Sequence, residues 1–266
     1  MKKVLFATTA LVMTAGVASA EITIGGGGYV GFNSNGGTTT FDSRMQANID
    51  GSVTSDSGLS VAARVRVRSQ EGAATINAPR ITVSTGGVTV AMGNADGAII
   101  QQTSPWNSCL GNVGDFCMSN TWQLAVAQYS GGAGFNDTIR ADVALGGASV
   151  SVSSDVGNTG GVEVAASTTM GALSVGAGFN LDTDISVLNL NYSADGITAG
   201  VRATDDGTAI VGVYASYSAG ALTISAFADD TDASGLGVSY DLGGGVAVGG
   251  AVDNSDNMQA HISFGF

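Results

Sequence analysis

The sequence predicts an all-β fold, a transmembrane antiparallel β-barrel of about 16 strands with a long third loop. Three observations carry that prediction. The last ten residues, NMQAHISFGF, alternate apolar and polar side chains and end on an aromatic. Side chains in a strand repeat every two residues, so Met258, Ala260, Ile262, Phe264 and Phe266 share a face that suits lipid, while Gln259, His261, Ser263 and Gly265 share one that suits water. At the other end, Lys2 and Lys3 precede an apolar run from Val4 to Val17 and the small-residue triplet Ala18-Ser19-Ala20. That is the pattern of a secretory signal, so residues 1–20 read as export code and Glu21 as the first mature residue. Between these ends, hydrophobic residues make up 44% of the chain, yet no other apolar run approaches the roughly 20 residues of a spanning helix. A membrane passage must then use strands, whose backbone groups are all paired only when the sheet closes on itself.

The elements follow in order from the turns. Tight, glycine-containing turns fall at residues 55–58, 85–87, 145–147, 169–171, 194–196, 219–221 and 242–245, each between alternating runs. Longer polar connections are expected near residues 34–40, 70–76, 95–136, 156–159, 181–183, 205–207, 230–232 and 254–256. Seven short and eight longer connections join 16 strands, the even number that puts both termini on one side. Residues 122–129, WQLAVAQY, also look like a strand. They are assigned to the third loop, because an odd count would reverse the closing strand.

Charge is unevenly placed along this pattern. The net charge is −13, and removal of Lys2 and Lys3 with the signal makes it −15, leaving only arginines as mature bases. Leu59, Val61, Ala63, Val65 and Val67 set an outward face, so Arg64, Arg66 and Arg68 point into the lumen. Arg44 and Arg80 on the flanking strands have the same parity, whereas Arg140 and Arg202 read as inward-facing on far strands. Like charges on adjacent positions repel, so stability alone does not explain five cations on one sector of wall.

Several stretches together resemble the general porins of alphaproteobacteria, of the Rhodobacter type. Phe41-Asp-Ser-Arg44 with residues 54–59 (TSDSGL) looks like that family's second strand and first periplasmic turn. Residues 90–97 (VAMGNADG) look like the start of its constriction loop, Asp137-Thr-Ile-Arg140 like the strand that leaves it, and residues 239–245 through Phe266 like its closing hairpins. The resemblance implies a homotrimeric, passive channel for ions and small hydrophilic solutes in the outer membrane of a Gram-negative bacterium, narrowed by its third loop. It further implies that the basic wall of Arg44, Arg64, Arg66, Arg68 and Arg80 faces loop acids, here Asp96 and Asp115. Phe264 and Phe266 resemble the signal read by the outer-membrane barrel-assembly machinery. The outer loops are very short for the family.

The two cysteines, Cys109 and Cys117, lie in the third loop, and an oxidising periplasm favours their pairing. Two thiols and a single histidine, His261, are a poor zinc set, and no metal ligand is assigned. Acids gather at the outer connections, at Asp182, Asp184, Asp205, Asp206, Asp229, Asp230, Asp232, Asp253 and Asp256. Such carboxylates could hold Ca²⁺ or Mg²⁺ weakly, but none forms an EF-hand pattern, and no cofactor is expected. With one histidine in the closing strand there is no His-centred catalytic arrangement, so no enzyme is expected. The run Gly25 to Gly28 lies in a strand with no helix after it, which excludes a phosphate cradle, and the acidic balance argues against nucleic acid. A substrate-selective channel and a non-transporting structural or adhesive β-protein are the alternatives to a general diffusion channel.

Overall fold

The computed structural model describes residues 20–103, 137–157 and 160–266. The strands in chain order are β1 (Glu21–Asn35), β2 (Thr38–Thr54), β3 (Ser60–Gln70), β4 (Ala73–Ile76), β5 (Arg80–Thr85) and β6 (Val88–Gly93). A short helix, α1 (Ala98–Thr103), follows. Then come β7 (Thr138–Leu145), β8 (Ala148–Asp155), β9 (Val162–Met170), β10 (Leu173–Asn180), β11 (Ser186–Ala194) and β12 (Ile197–Asp205). The chain ends with β13 (Ala209–Ala219), β14 (Leu222–Asp229), β15 (Ser234–Gly243), β16 (Val246–Asp253) and β17 (Met258–Gly265). Every neighbouring pair is antiparallel, and β17 pairs with β1 to close the sheet. Because β4 and β5 both pair with β3, they form one interrupted stave, and the barrel has 16.

All seven short turns fall where glycine marked them. In the turn from β5 to β6, Gly86 and Gly87 have φ of 56° and 83°, and in the turn from β11 to β12 Asp195 and Gly196 have 53° and 79°. Two successive positive φ values give the turn whose twist matches a hairpin, at little cost for Gly and a modest one for Asp. Two of the longer connections are shorter than expected. Thr38–Thr40 belongs to β2, with Asn35 opposite Thr38, and Ala73–Ile76 forms β4, with Gln70 opposite Ala73. Polarity at these positions marks solvent around the strand ends, while the ladder itself continues to Gly36-Gly37 and Glu71-Gly72.

The break between β4 and β5 falls at residues 77–79, where Pro79 has no N–H to give to a ladder. Asn77 N still donates to Arg66 O at 3.0 Å, and Asn94 N donates to Pro79 O at 3.1 Å as the chain leaves β6. β6 pairs directly with β7, and residues 122–129 lie outside the described residues.

The two faces of the sheet separate as the alternation requires. On β17, Ile262 is 43% exposed while His261 is 5% exposed. Phe32, Met45, Ile49, Ile139 and Leu188 continue the apolar outer face. Among the described residues, exposed aromatics sit on β1, β2, β10, β11, β13 and β15, on β17 and at its end, and none on β3 to β9.

Candidate functional site

The register of β2, β3 and β5 puts all five predicted arginines on the inner face. Arg64 lies opposite both Asp50 and Arg80, Arg66 opposite Asn48, Arg68 opposite Gln46, and Arg44 opposite Gln70. Residues directly opposite in an antiparallel ladder share a face. The sequence reading missed the partners that make this row tolerable. Arg64 Nε and Nη2 donate to the two carboxylate oxygens of Asp50 at 2.6 and 3.0 Å. Gln46 Oε1 accepts from Arg68 Nε at 3.2 Å, from Arg68 Nη2 at 2.9 Å and from Arg44 Nη2 at 3.0 Å. A neutral carbonyl oxygen satisfies these donors without cancelling their charge. Arg66 Nε is buried with no hydrogen-bond partner among the described residues. The available signal was parity, since Arg44, Gln46, Asn48 and Asp50 repeat every second residue on β2.

Arg140 is closer to this row than the sequence suggested. Arg140 is near enough to Arg80 for the two charges to act on each other, as are Arg64, Arg66 and Asp96. Arg140 Nε bonds Asp142 Oδ1 at 2.9 Å, and its Nη1 donates to the backbone oxygen of Asp96. Arg140 therefore joins the start of the third loop to the wall, and Asp96 sits where the cations of β3, β5 and β7 meet. Asp115, Cys109 and Cys117 lie outside the described residues.

Beyond Asp96 the chain turns into α1, which packs on β8, β9, β10 and β11. Its contacts are with inward-facing polar groups, so the first part of the loop runs inside the barrel. Ala98 N donates to Ser153 Oγ at 2.8 Å and Ile99 N to Glu163 Oε2 at 3.0 Å. Gln102 Nε2 donates to Ser149 and Ser151 at 2.9 and 2.6 Å, and Asn189 Nδ2 donates to Thr103 O at 3.0 Å. Arg202 Nη2 reaches Thr103 Oγ1 at 3.3 Å, so this cation holds the loop as well as lining the far wall. Glycine lets the helix lie so close. A Cβ on Gly178 would meet Ile99 Cγ1 at 2.9 Å, and one on Gly176 would run into Gln102 O.

Glu163 is the bulkiest of the anchors with no exposed surface. Replacing it by alanine leaves a buried amide without its acceptor, at a cost of about 1–3 kcal/mol, and is expected to increase open-channel current noise. Glutamine keeps a carbonyl oxygen and should restore a quiet trace. Equal noise in wild type and Glu163→Ala, recorded in planar bilayers, would show that this contact does not hold the loop.

At the seam, Phe266 N donates to Gly26 O and Gly26 N to Phe266 O, both at 2.9 Å. The Phe264 and Phe266 rings stack with centroids 6.5 Å apart on the outer surface. Of the outer acids, several close their own turns. Asp229 Oδ1 accepts Thr231 N and Ala233 N at 2.9 and 3.0 Å, and Asp253 Oδ1 accepts Ser255 N and Asn257 N at 2.8 and 3.0 Å. Among the described residues, no group of three or more His, Cys, Asp or Glu is arranged to hold a metal ion.

The family model described as Gram-negative porin matches residues 7–262. The chain is 27% identical over 249 residues to a porin of Fuscovulum blasticum, covering 81% of this chain and 86% of that one. Structures of Rhodopseudomonas blastica porin variants superpose with TM-scores of 0.75 and 0.74 at 22% and 24% identity, covering 92% of this chain and 100% of theirs. That likeness extends to the closed barrel of 16 antiparallel staves. A closed barrel, apolar outside and polar within, whose family match spans nearly the whole chain, belongs to the Gram-negative porins and is a general diffusion channel of the outer membrane.

Proposed function

We propose that this porin passes ions and small hydrophilic solutes through a gap bounded by the arginine row on one side and the third loop, with Asp96 and Asp115, on the other, and that it prefers cations weakly. The observation that carries the reading is the single inward face holding Arg44, Arg64, Arg66, Arg68 and Arg80, with the loop start bonded across β7 to β12. Cations on one wall and carboxylates opposite set up a transverse field in water, in which polar solutes align and apolar ones lose hydration. Residues 1–20 act as the export signal and residues 95–136 as the constriction loop, stapled by Cys109 and Cys117. The barrel-assembly machinery reads the closing aromatics Phe264 and Phe266. Assembly is as a homotrimer, with the arc from β3 to β9, bare of exposed aromatics among the described residues, turned from the lipid interface.

Selectivity follows from two opposed sets of charge. The row attracts anions, while the mature charge of −15 and the acids of the outer connections enrich cations at the mouth. The latter are exposed, so their influence should fade as the Debye length falls from about 10 Å at 0.1 M salt to about 3 Å at 1 M. Arg66→Ser is expected to raise cation preference, measured as a reversal potential across a KCl gradient. An unchanged potential would mean that the row does not line the narrowest point. Arg202→Ser is not a neutral comparison, because it also releases Thr103.

A further inference from the structure

A recess of about 550 Å³ opens on the inner wall where β1, β2, β3 and β17 meet, toward the end that carries both termini and the short turns. It exists because β1, between its inward-facing Thr23 and Tyr29, has only glycine at the two inward positions. Gly25 and Gly27 lie opposite Asn48 and Gln46, so both face inward with only hydrogen where a neighbouring strand would project a side chain. The two glycines differ. A Cβ on Gly27 would meet Phe264 O at 2.6 Å, so closure of the barrel demands glycine there, whereas a Cβ on Gly25 would meet only Phe266 O at an ordinary 3.5 Å. Packing does not require a glycine at position 25, and its absence of side chain leaves the space open.

The chemistry of the lining is mixed in a particular way. Its charged groups are Arg44, Arg64 and Asp50, and since Asp50 pairs with Arg64 they sum to a single positive charge. Gln46 Nε2 donates to Asn48 Oδ1 at 3.3 Å, so Asn48 turns its own amide hydrogens away from that contact. Arginine, carboxamides and a carboxylate in one row on β2 and β3 offer donors and acceptors at strand spacing. Hydroxyl groups use both, each as donor and acceptor at once. A bare anion would use the donors and be repelled by Asp50. The volume lies within the range of small-molecule pockets.

We propose that this recess is a binding subsite for small hydroxylated monoanions of the sugar-acid class, with the carboxylate toward Arg44 and the hydroxyls toward Asn48 and Asp50. The proposal rests on the porin reading and adds a solute class to it. A transient stop on the wall raises the local concentration of such solutes beside the arginine row without closing the path.

The test uses the full mature barrel in planar bilayers with gluconate as probe, and glucose and acetate as comparisons lacking the charge or the hydroxyls. Gluconate is expected to produce concentration-dependent current noise with a binding constant about tenfold above that of either comparison, as one or two well-made hydrogen bonds supply. Gly25→Tyr, which fills the recess, and Asn48→Ala, which removes a hydroxyl partner without filling it, should each lower that constant severalfold. Equal binding of all three probes, or gluconate binding unaffected by both variants, would overturn the subsite. A wild-type barrel that carries KCl current but ignores gluconate refutes the subsite alone, whereas one that carries no current refutes the porin reading itself.

Discussion

Deletion of Phe266 is expected to lower the yield of heat-modifiable barrel far more than removal of one residue from the connection at 206–208. The residue contributes both hydrogen bonds of the last rung between the C-terminus and Gly26, and its ring stacks on Phe264. Two backbone bonds and an aromatic pair together stabilise the seam by about 2–4 kcal/mol. The loss falls where the sheet must close, and an unclosed sheet leaves unpaired backbone groups facing hydrocarbon. The assay is the mobility of unheated against heated samples on a gel. Normal yield from the deletion would mean that neither closure nor assembly depends on the terminal aromatic.

Gly176→Val should have the second largest effect, on the channel itself. The new side chain would occupy the space of Gln102 O on α1, a backbone atom that cannot rotate away. Overpacking of this kind costs about 1–3 kcal/mol, and the cheapest relief is to lift α1 off β10 into the lumen. Single-channel conductance is therefore expected to fall while the barrel still folds. Asn189 Nδ2 and Glu163 would lose their hold on the helix in the same step. A conductance equal to wild type would place α1 away from the conducting path.

The alternation of β17 and the seven glycine-marked turns were legible in the sequence because each depends on neighbours in the chain. The inward face of Arg64, Arg66 and Arg68 was legible for the same reason. What the sequence hid were relations across the sheet. Asp50 and Gln46 become partners of Arg64 and Arg68 only through the register of β2 on β3. Arg140 reaches Asp96 across 44 residues of chain, and Asn189 reaches Thr103 across 86. Glu163 carried no local signal at all, since a lone acid at the start of a strand looks like another solvated end. The overlong connections at 34–40 and 70–76 failed for a simpler reason. Polar composition was read as loss of pairing, and strands that rise beyond the membrane are polar and paired at once.

The interrupted stave sets where the wall can yield. From Arg64 opposite Arg80 to Val67 opposite Ile76, the ladder between β3 and its neighbour lacks regular rungs, with the Asn77 bond to Arg66 O spanning the gap. Arg66 stands in the middle of that stretch. The opposite wall is stiffened by α1, which is hydrogen-bonded to β8, β9 and β11 and packs closely on β10 at Gly176 and Gly178. Thermal motion is therefore unequally shared around the circumference: the element usually thought of as movable is clamped at its start, and the compliant part is the wall that carries the cations. A passing solute then meets, on the side of the cations, a wall short of backbone rungs, and across from it strands tied together by a buried helix.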